Sequence, residues 1–141
     1  MLELFKAKQG APPLPLPLFL ANVQAGFPSP AEGYLDKTLD LNALLISHPA
    51  ATFFVRVMGD SMQNAGICSG DVLIVDRSLE NIENAIVIAV VNGEFTVKRL
   101  RKKEGRIFLV PENPSYPTLE IAPESDFQVW GVVTYVIHKA R

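Results

Sequence analysis

The sequence predicts a mostly β protein: a compact antiparallel β domain over residues 34–141, preceded by an extended arm over residues 1–33. Three observations carry this. Residues 1–33 hold six of the eleven prolines and three of the nine glycines, a composition that favours extended, PPII-prone chain over packed secondary structure. After His48-Pro49 the chain becomes a series of short runs rich in Val, Ile and Phe, separated by turn residues. No helical pattern intervenes between those runs, so an antiparallel arrangement is favoured over a parallel one.

Taken in order, the arm runs through Pro12, Pro13, Pro15 and Pro17. Each lacks an N–H and resists helix. Lys6 and Lys8 before this segment, with small residues at Val23 and Ala25 after it, resemble a secretory signal, but the prolines interrupt the apolar stretch that such a signal needs. Tyr34–Ile46, with leucines at 35, 39, 41, 44 and 45, is the best helix or turn candidate. The strands expected are Thr52–Val57, Val72–Val75, Ala85–Val91, Glu94–Leu100, Arg106–Val110 and Gln128–Ile137. Turns at Gly59-Asp60, Ser69-Gly70-Asp71, Asn92-Gly93 and Glu104-Gly105 divide them. Asn92-Gly93 joins two apolar runs through two residues, the strongest short hairpin signal.

Composition narrows the function. Apolar and aromatic residues make up 48% of the 141-residue chain, enough for a true core. Thirteen basic and fifteen acidic side chains leave a net charge of −2. That balance disfavours broad electrostatic binding to nucleic acid or to an anionic membrane. No apolar run approaches the roughly 18–20 residues of a membrane span. One cysteine, Cys68, excludes an internal disulfide and fits a reducing cytoplasm; it reads as a small buried apolar residue. His48 and His138 have no metal-type spacing partner and read as surface or edge residues. No metal site, cofactor or Gly-rich phosphate loop is expected. Trp130 reads as core, Asp60 and Asp71 as turn formers. The cluster Arg99, Arg101, Lys102, Lys103 and Arg106 reads as a solvated hairpin end.

Two residues stand out for chemistry. Ser61, in Met58-Gly59-Asp60-Ser61-Met62, directly follows an apolar strand. A serine on such a turn projects its hydroxyl from rigid scaffold, beside backbone N–H groups able to hold an oxyanion; taken alone, a turn or capping serine is the commoner role. Lys98 lies in Glu94–Leu100, on the strand face of Thr96 and Leu100. Alone it would more often be a solvated edge residue. A neutral lysine amine, however, deprotonates a serine without any histidine.

In order along the chain stand Gly59-Asp60-Ser61-Met62, Ser69-Gly70-Asp71 with Leu73-Ile74-Val75-Asp76-Arg77, Val97-Lys98-Arg99-Leu100, and Pro111-Glu112-Asn113-Pro114 with Tyr116-Pro117. This set resembles the LexA/UmuD peptidase family over nearly the whole chain. The arm motif Ala25-Gly26-Phe27-Pro28-Ser29-Pro30 resembles the UmuD branch, with Ala25 where that branch usually has cysteine. The resemblance implies a nucleophile at Ser61, a general base at Lys98 and a scissile bond at Ala25–Gly26. It also implies a cytoplasmic, self-cleaving serine protease of the SOS response. The RecA–single-stranded-DNA filament would promote the cut, and the trimmed homodimer would serve a UmuC-type translesion polymerase as accessory subunit. Glycine at 26 suits such a bond, since a residue without Cβ lets the backbone approach Ser61 closely. An arm docked as an added strand would hold the bond in register. The alternatives are a stand-alone LexA-like dimerisation module and a signal peptidase. No recognition helix for sequence-specific DNA fits in residues 1–25, and the lack of a spanning segment counts against the signal peptidase. The late run Gln128–Ile137 is the candidate dimer interface.

Overall fold

The computed structural model of the protein describes residues 2–7, 9–19 and 35–140, with backbone only at 17–19 and 35–37. It is mostly β, as expected. The chain divides into two compact units: residues 1–9 with 48–141, and residues 10–47.

The larger unit is an eight-stranded sheet. Its members are β1 (Leu2–Lys6), β4 (Thr52–Val57), β5 (Val72–Asp76), β6 (Ile86–Val91), β7 (Glu94–Lys103), β8 (Arg106–Val110), β9 (Leu119–Glu120) and β10 (Phe127–Ile137). Their order across the sheet is β1-β4-β5-β10-β6-β7-β8-β9, every neighbouring pair antiparallel. The smaller unit pairs β2 (Pro15–Phe19) antiparallel with β3 (Leu35–Asp40), from Pro15 opposite Asp40 to Phe19 opposite Leu35. The five-residue helix α1 (Leu41–Leu45) follows β3.

The turns explain the pairing. Asn92 and Gly93 have φ of 50° and 84°, the left-handed conformation that a two-residue type I′ hairpin demands of both central residues. Glu104 and Gly105, at 52° and 74°, do the same between β7 and β8. Asn92 is clamped further: its N–H donates to the Asp126 carbonyl at 2.7 Å, and its side-chain oxygen accepts from the Asp126 N–H at 3.1 Å.

Both faces of the sheet contribute to the core. One buried cluster joins Val55, Val57, Met62, Ile67, Leu73, Val75, Ile88 and Val97, and the other joins Val87, Ala89, Leu100, Leu109 and Val132. Alternation along β7 thus sends Val97 to one cluster and Leu100 to the other. Gly131 in β10 is required by packing: an added Cβ would stand 2.5 Å from Val75 Cγ1.

Several expectations need correction. Tyr34–Ile46 is the helix or turn candidate, yet Leu35–Asp40 is a strand and helix covers only Leu41–Leu45. Pairing with β2 overrides local preference there. Cys68 is exposed, because it stands on the turn before β5 rather than inside it. Trp130 is only partly buried; it packs edge-on against Phe53 and Phe95 beneath the Arg77 guanidinium, 4.4 Å from its ring centre. His48 and His138 are exposed as expected, but each pairs with a buried aspartate. His48 Nδ1 lies 2.6 Å from Asp76 Oδ2, and His138 Nδ1 lies 2.7 Å from Asp71 Oδ1. Burial alone would raise the Asp76 carboxyl, but hydrogen bonds from Ser78 and His48 overcome it and hold the group below the usual range.

Candidate active site

β4 carries the chain to Val57, whose N–H donates to the Asp71 carbonyl at 2.9 Å and whose carbonyl accepts from Gly70 at 2.7 Å. Gly59 then breaks the strand at φ 110°, a conformation open to glycine and costly for other residues. Its N–H donates to Ser69 Oγ at 3.0 Å. The residues on either side of Ser61 are both pinned. The Asp60 carbonyl accepts from Gln63 N–H at 3.1 Å and from Asn113 Nδ2 at 2.9 Å, while its carboxylate accepts from the Tyr116 hydroxyl at 2.5 Å. Met62 is buried in the core, and its sulfur accepts from the Glu112 N–H at 3.3 Å. Ser61 is therefore partly exposed on a turn whose neighbours are fixed.

Lys98 reaches this serine from β7. Its Nζ lies 3.3 Å from Ser61 Oγ, 2.7 Å from Thr96 Oγ1 and 3.0 Å from the Val97 carbonyl. All three are neutral acceptors. Burial pushes the Lys98 ammonium below its ordinary value, since desolvation disfavours the charged form. β7 is itself braced against the serine turn: Arg99 Nε donates to Glu112 Oε1 at 2.6 Å, and the Glu112 carbonyl accepts from the Asn64 N–H at 2.8 Å.

Ser61 and Lys98 share a cleft of about 210 Å³ bounded also by Leu2, Val57, Phe95 and Tyr116. A second hollow of about 500 Å³ shares Phe95, Thr96 and Lys98 with it and reaches Val91, Leu109 and Leu119. Lys98 lines both. Ala25 and Gly26 lie outside the described residues.

The two site residues singled out in the body of the chain, 37 positions apart, are brought within hydrogen-bond reach. The sequence assigned no role to Thr96, Glu112, Asn113 or Tyr116, and Arg99, read as part of a solvated hairpin end, is instead paired with Glu112 in partly buried surroundings. For all but Thr96 the available signal was membership in motifs that travel with Ser61 and Lys98. Among the described residues, the ligand-type atoms of Cys68, Asp71 and His138 lie within 4.8 Å of one another. Both Asp71 oxygens there are already engaged, by the Cys68 N–H and by His138. No helix among the described residues is long and apolar enough to cross a membrane.

Residues 17–134 match the model of the Peptidase S24-like family. The protein SamA of Salmonella typhimurium (strain LT2) is 55% identical over 125 residues, covering 89% of this chain and 86% of that protein. The protein MucA of Escherichia coli is 46% identical over 121 residues, covering 85% of this chain and 82% of its own length. The LexA repressor of Paracidovorax citrulli is 38% identical over 128 residues, which cover 91% of this chain but 56% of the repressor. With its serine-bearing turn on an antiparallel sheet, the chain belongs to the Peptidase S24-like family of self-cleaving serine peptidases, within the UmuD-like branch that serves SOS mutagenesis.

Proposed function

We propose that this chain cuts its own Ala25–Gly26 bond with a Ser61–Lys98 dyad. The carrying observation is the 3.3 Å approach of Lys98 Nζ to Ser61 Oγ, in partly buried surroundings where every partner of the amine is neutral. An ammonium donates three hydrogen bonds, matching the three acceptors around it. Loss of one proton leaves two donors, for Thr96 and the Val97 carbonyl, and a lone pair facing Ser61. The base-competent state therefore needs no rearrangement of the heavy atoms.

In this reaction neutral Lys98 takes the Ser61 proton as Oγ attacks the Ala25 carbonyl carbon. The N–H groups of Ser61 and Met62 are the donors for the resulting oxyanion, Gly59's being engaged by Ser69. Collapse breaks the bond to Gly26, whose nitrogen leaves with the proton from Lys98. Water then hydrolyses the acyl-serine, releasing the Ala25 carboxylate.

The partners proposed are a second copy of the chain, the RecA–single-stranded-DNA filament that stimulates cutting, and a UmuC-type polymerase subunit served by the trimmed dimer in the cytoplasm. RecA acts by favouring the cutting conformation rather than by supplying a catalytic group. The test is incubation of the purified chain with and without RecA, nucleotide and single-stranded DNA, followed by intact-mass measurement. The expected large fragment begins Gly-Phe-Pro-Ser-Pro and spans residues 26–141. Any other new terminus sinks the site assignment.

A further inference from the structure

The outer edge of β4 is occupied by the chain's own first strand. Leu2 to Lys6 lie opposite Val57 to Phe53, five antiparallel pairs. The Ala7 N–H donates to the Thr52 carbonyl at 3.1 Å, which extends the ladder and fixes its phase. In an antiparallel pair hydrogen-bonded positions alternate, so the N–H groups of Glu3, Phe5 and Ala7 face β4, and those of Leu4 and Lys6 face away. Side chains add to the ladder. Leu2 packs against the buried cluster and lines the Ser61 cleft. Glu3 pairs with Arg56 directly across at 3.6 Å. Without β1, the N–H and C=O groups of Phe54 and Arg56 would form an open edge, since β5 takes only the other side of β4.

The position of the proposed cut gives this pairing a consequence. Residues 1–25 contain β1 and β2, while β4 and β3, the strands they pair with, lie after Gly26. Neither ladder includes the Ala25–Gly26 bond. Hydrolysis therefore removes the covalent tie and leaves both sets of strand pairs in place. Two linked segments, each held by a strand, dissociate far more slowly than either alone, because one keeps the other at high effective concentration.

We infer that the outer edge of β4 is a strand-docking site whose ligand is the Leu2–Lys6 segment, and that after cutting the 1–25 peptide stays seated there as a separate chain. This rests on the Ala25–Gly26 cut proposed above. Cutting and exposure of the β4 edge are then two events. The edge becomes available to another extended segment only when the peptide leaves, by main-chain pairing of the kind used in strand addition.

The test uses the full chain severed in two ways: by its own activity at alkaline pH, and by an added protease whose recognition sequence replaces the residues around Ala25. Denaturing mass measurement reports whether the chain is cut, and gel filtration at micromolar concentration reports whether the peptide travels with the body. Co-elution is expected, with amide exchange in 52–57 as slow as in the intact chain. Phe5→Pro, which deletes an inward N–H, is expected to speed peptide loss and exchange in 52–57 about tenfold, the worth of roughly one backbone hydrogen bond. Leu4→Pro, whose N–H faces outward, is expected to leave both unchanged, as proline is tolerated at such edge positions. A peptide that separates at once from the protease-cut body overturns the docking site, as does equal behaviour of the two proline variants. A chain that never cuts itself overturns the self-cleavage reading instead, and the protease-cut sample still decides the docking.

Discussion

The dyad makes a quantitative claim about pH. Below the Lys98 pKa, the neutral fraction of the amine falls about tenfold per pH unit. Self-cleavage of the chain alone should therefore climb with a slope near one in log rate against pH, then level off above that pKa. The level portion should begin below the roughly 10.4 of a free lysine, because burial lowers the folded value. Lys98→Met keeps the bulk and removes the base, and should slow cutting by at least ~10²–10⁴-fold at every pH, the usual worth of a positioned proton acceptor. Stability carries the opposite signature. A lysine whose folded pKa is depressed penalises folding while it is charged; the penalty is complete below the folded pKa and disappears as pH rises toward the unfolded value. The melting temperature of Lys98→Met relative to the parent should therefore be most favourable near pH 7 and fall as pH approaches 10. Intact-mass time courses and calorimetry across pH 6–10.5 measure both. A flat rate profile, or a melting difference that ignores pH, would falsify the neutral-lysine mechanism.

Other outcomes follow from single contacts. Ser61→Ala should abolish cutting while moving the melting temperature little, since the turn is held by its neighbours; a cutting Ser61→Ala protein removes the nucleophile. Gly131→Ala places a Cβ 2.5 Å from Val75 Cγ1 and should cost about 1–3 kcal/mol in chemical denaturation, an unchanged midpoint showing that β10 has room to shift. Asp76→Asn should lower stability at neutral pH and lose that deficit in acid: the Asp76 carboxyl is held low, so its contribution is present above the ordinary carboxylate pKa and fades as pH falls through the folded value. Urea titrations at pH 7 and pH 3 decide it. Tyr116→Phe deletes the bond to Asp60 and should slow cutting, which identical kinetics would contradict.

Much of the sheet was legible because its signals are local. Thr52–Val57 and Arg106–Val110 are strands with the expected limits, and Asn92-Gly93 forms the hairpin that its chemistry demands. What failed was decided by distant partners. Leu35–Asp40 is a strand because β2 lies beside it, and nothing within those six residues says so. Leu119–Glu120 is too short to leave a pattern. Ser61 and Lys98 were legible as chemistry only together, and the turn and strand that carry them are braced by Arg99, Glu112 and Asn113, whose partners lie 13 to 53 positions away. Aspartates 71 and 76 read as turn formers, or not at all, because the histidines that cover them are 67 and 28 positions away.

The strand order has a consequence in time. Ser61 follows β4 and Lys98 lies in β7, and among the described residues β10 is the sole link in the ladder between the β4–β5 side and the β6–β7 side. That link follows every other strand among the described residues. A chain emerging from the ribosome has made Ser61, Lys98 and residues 25–26 before it has the strand that joins the two sides. Long-range pairings of this kind form late, after the cost of closing the intervening loop. Until Phe127–Ile137 is made, Ser61 and Lys98 have no shared ladder, and truncation within that strand should yield a chain that does not cut itself.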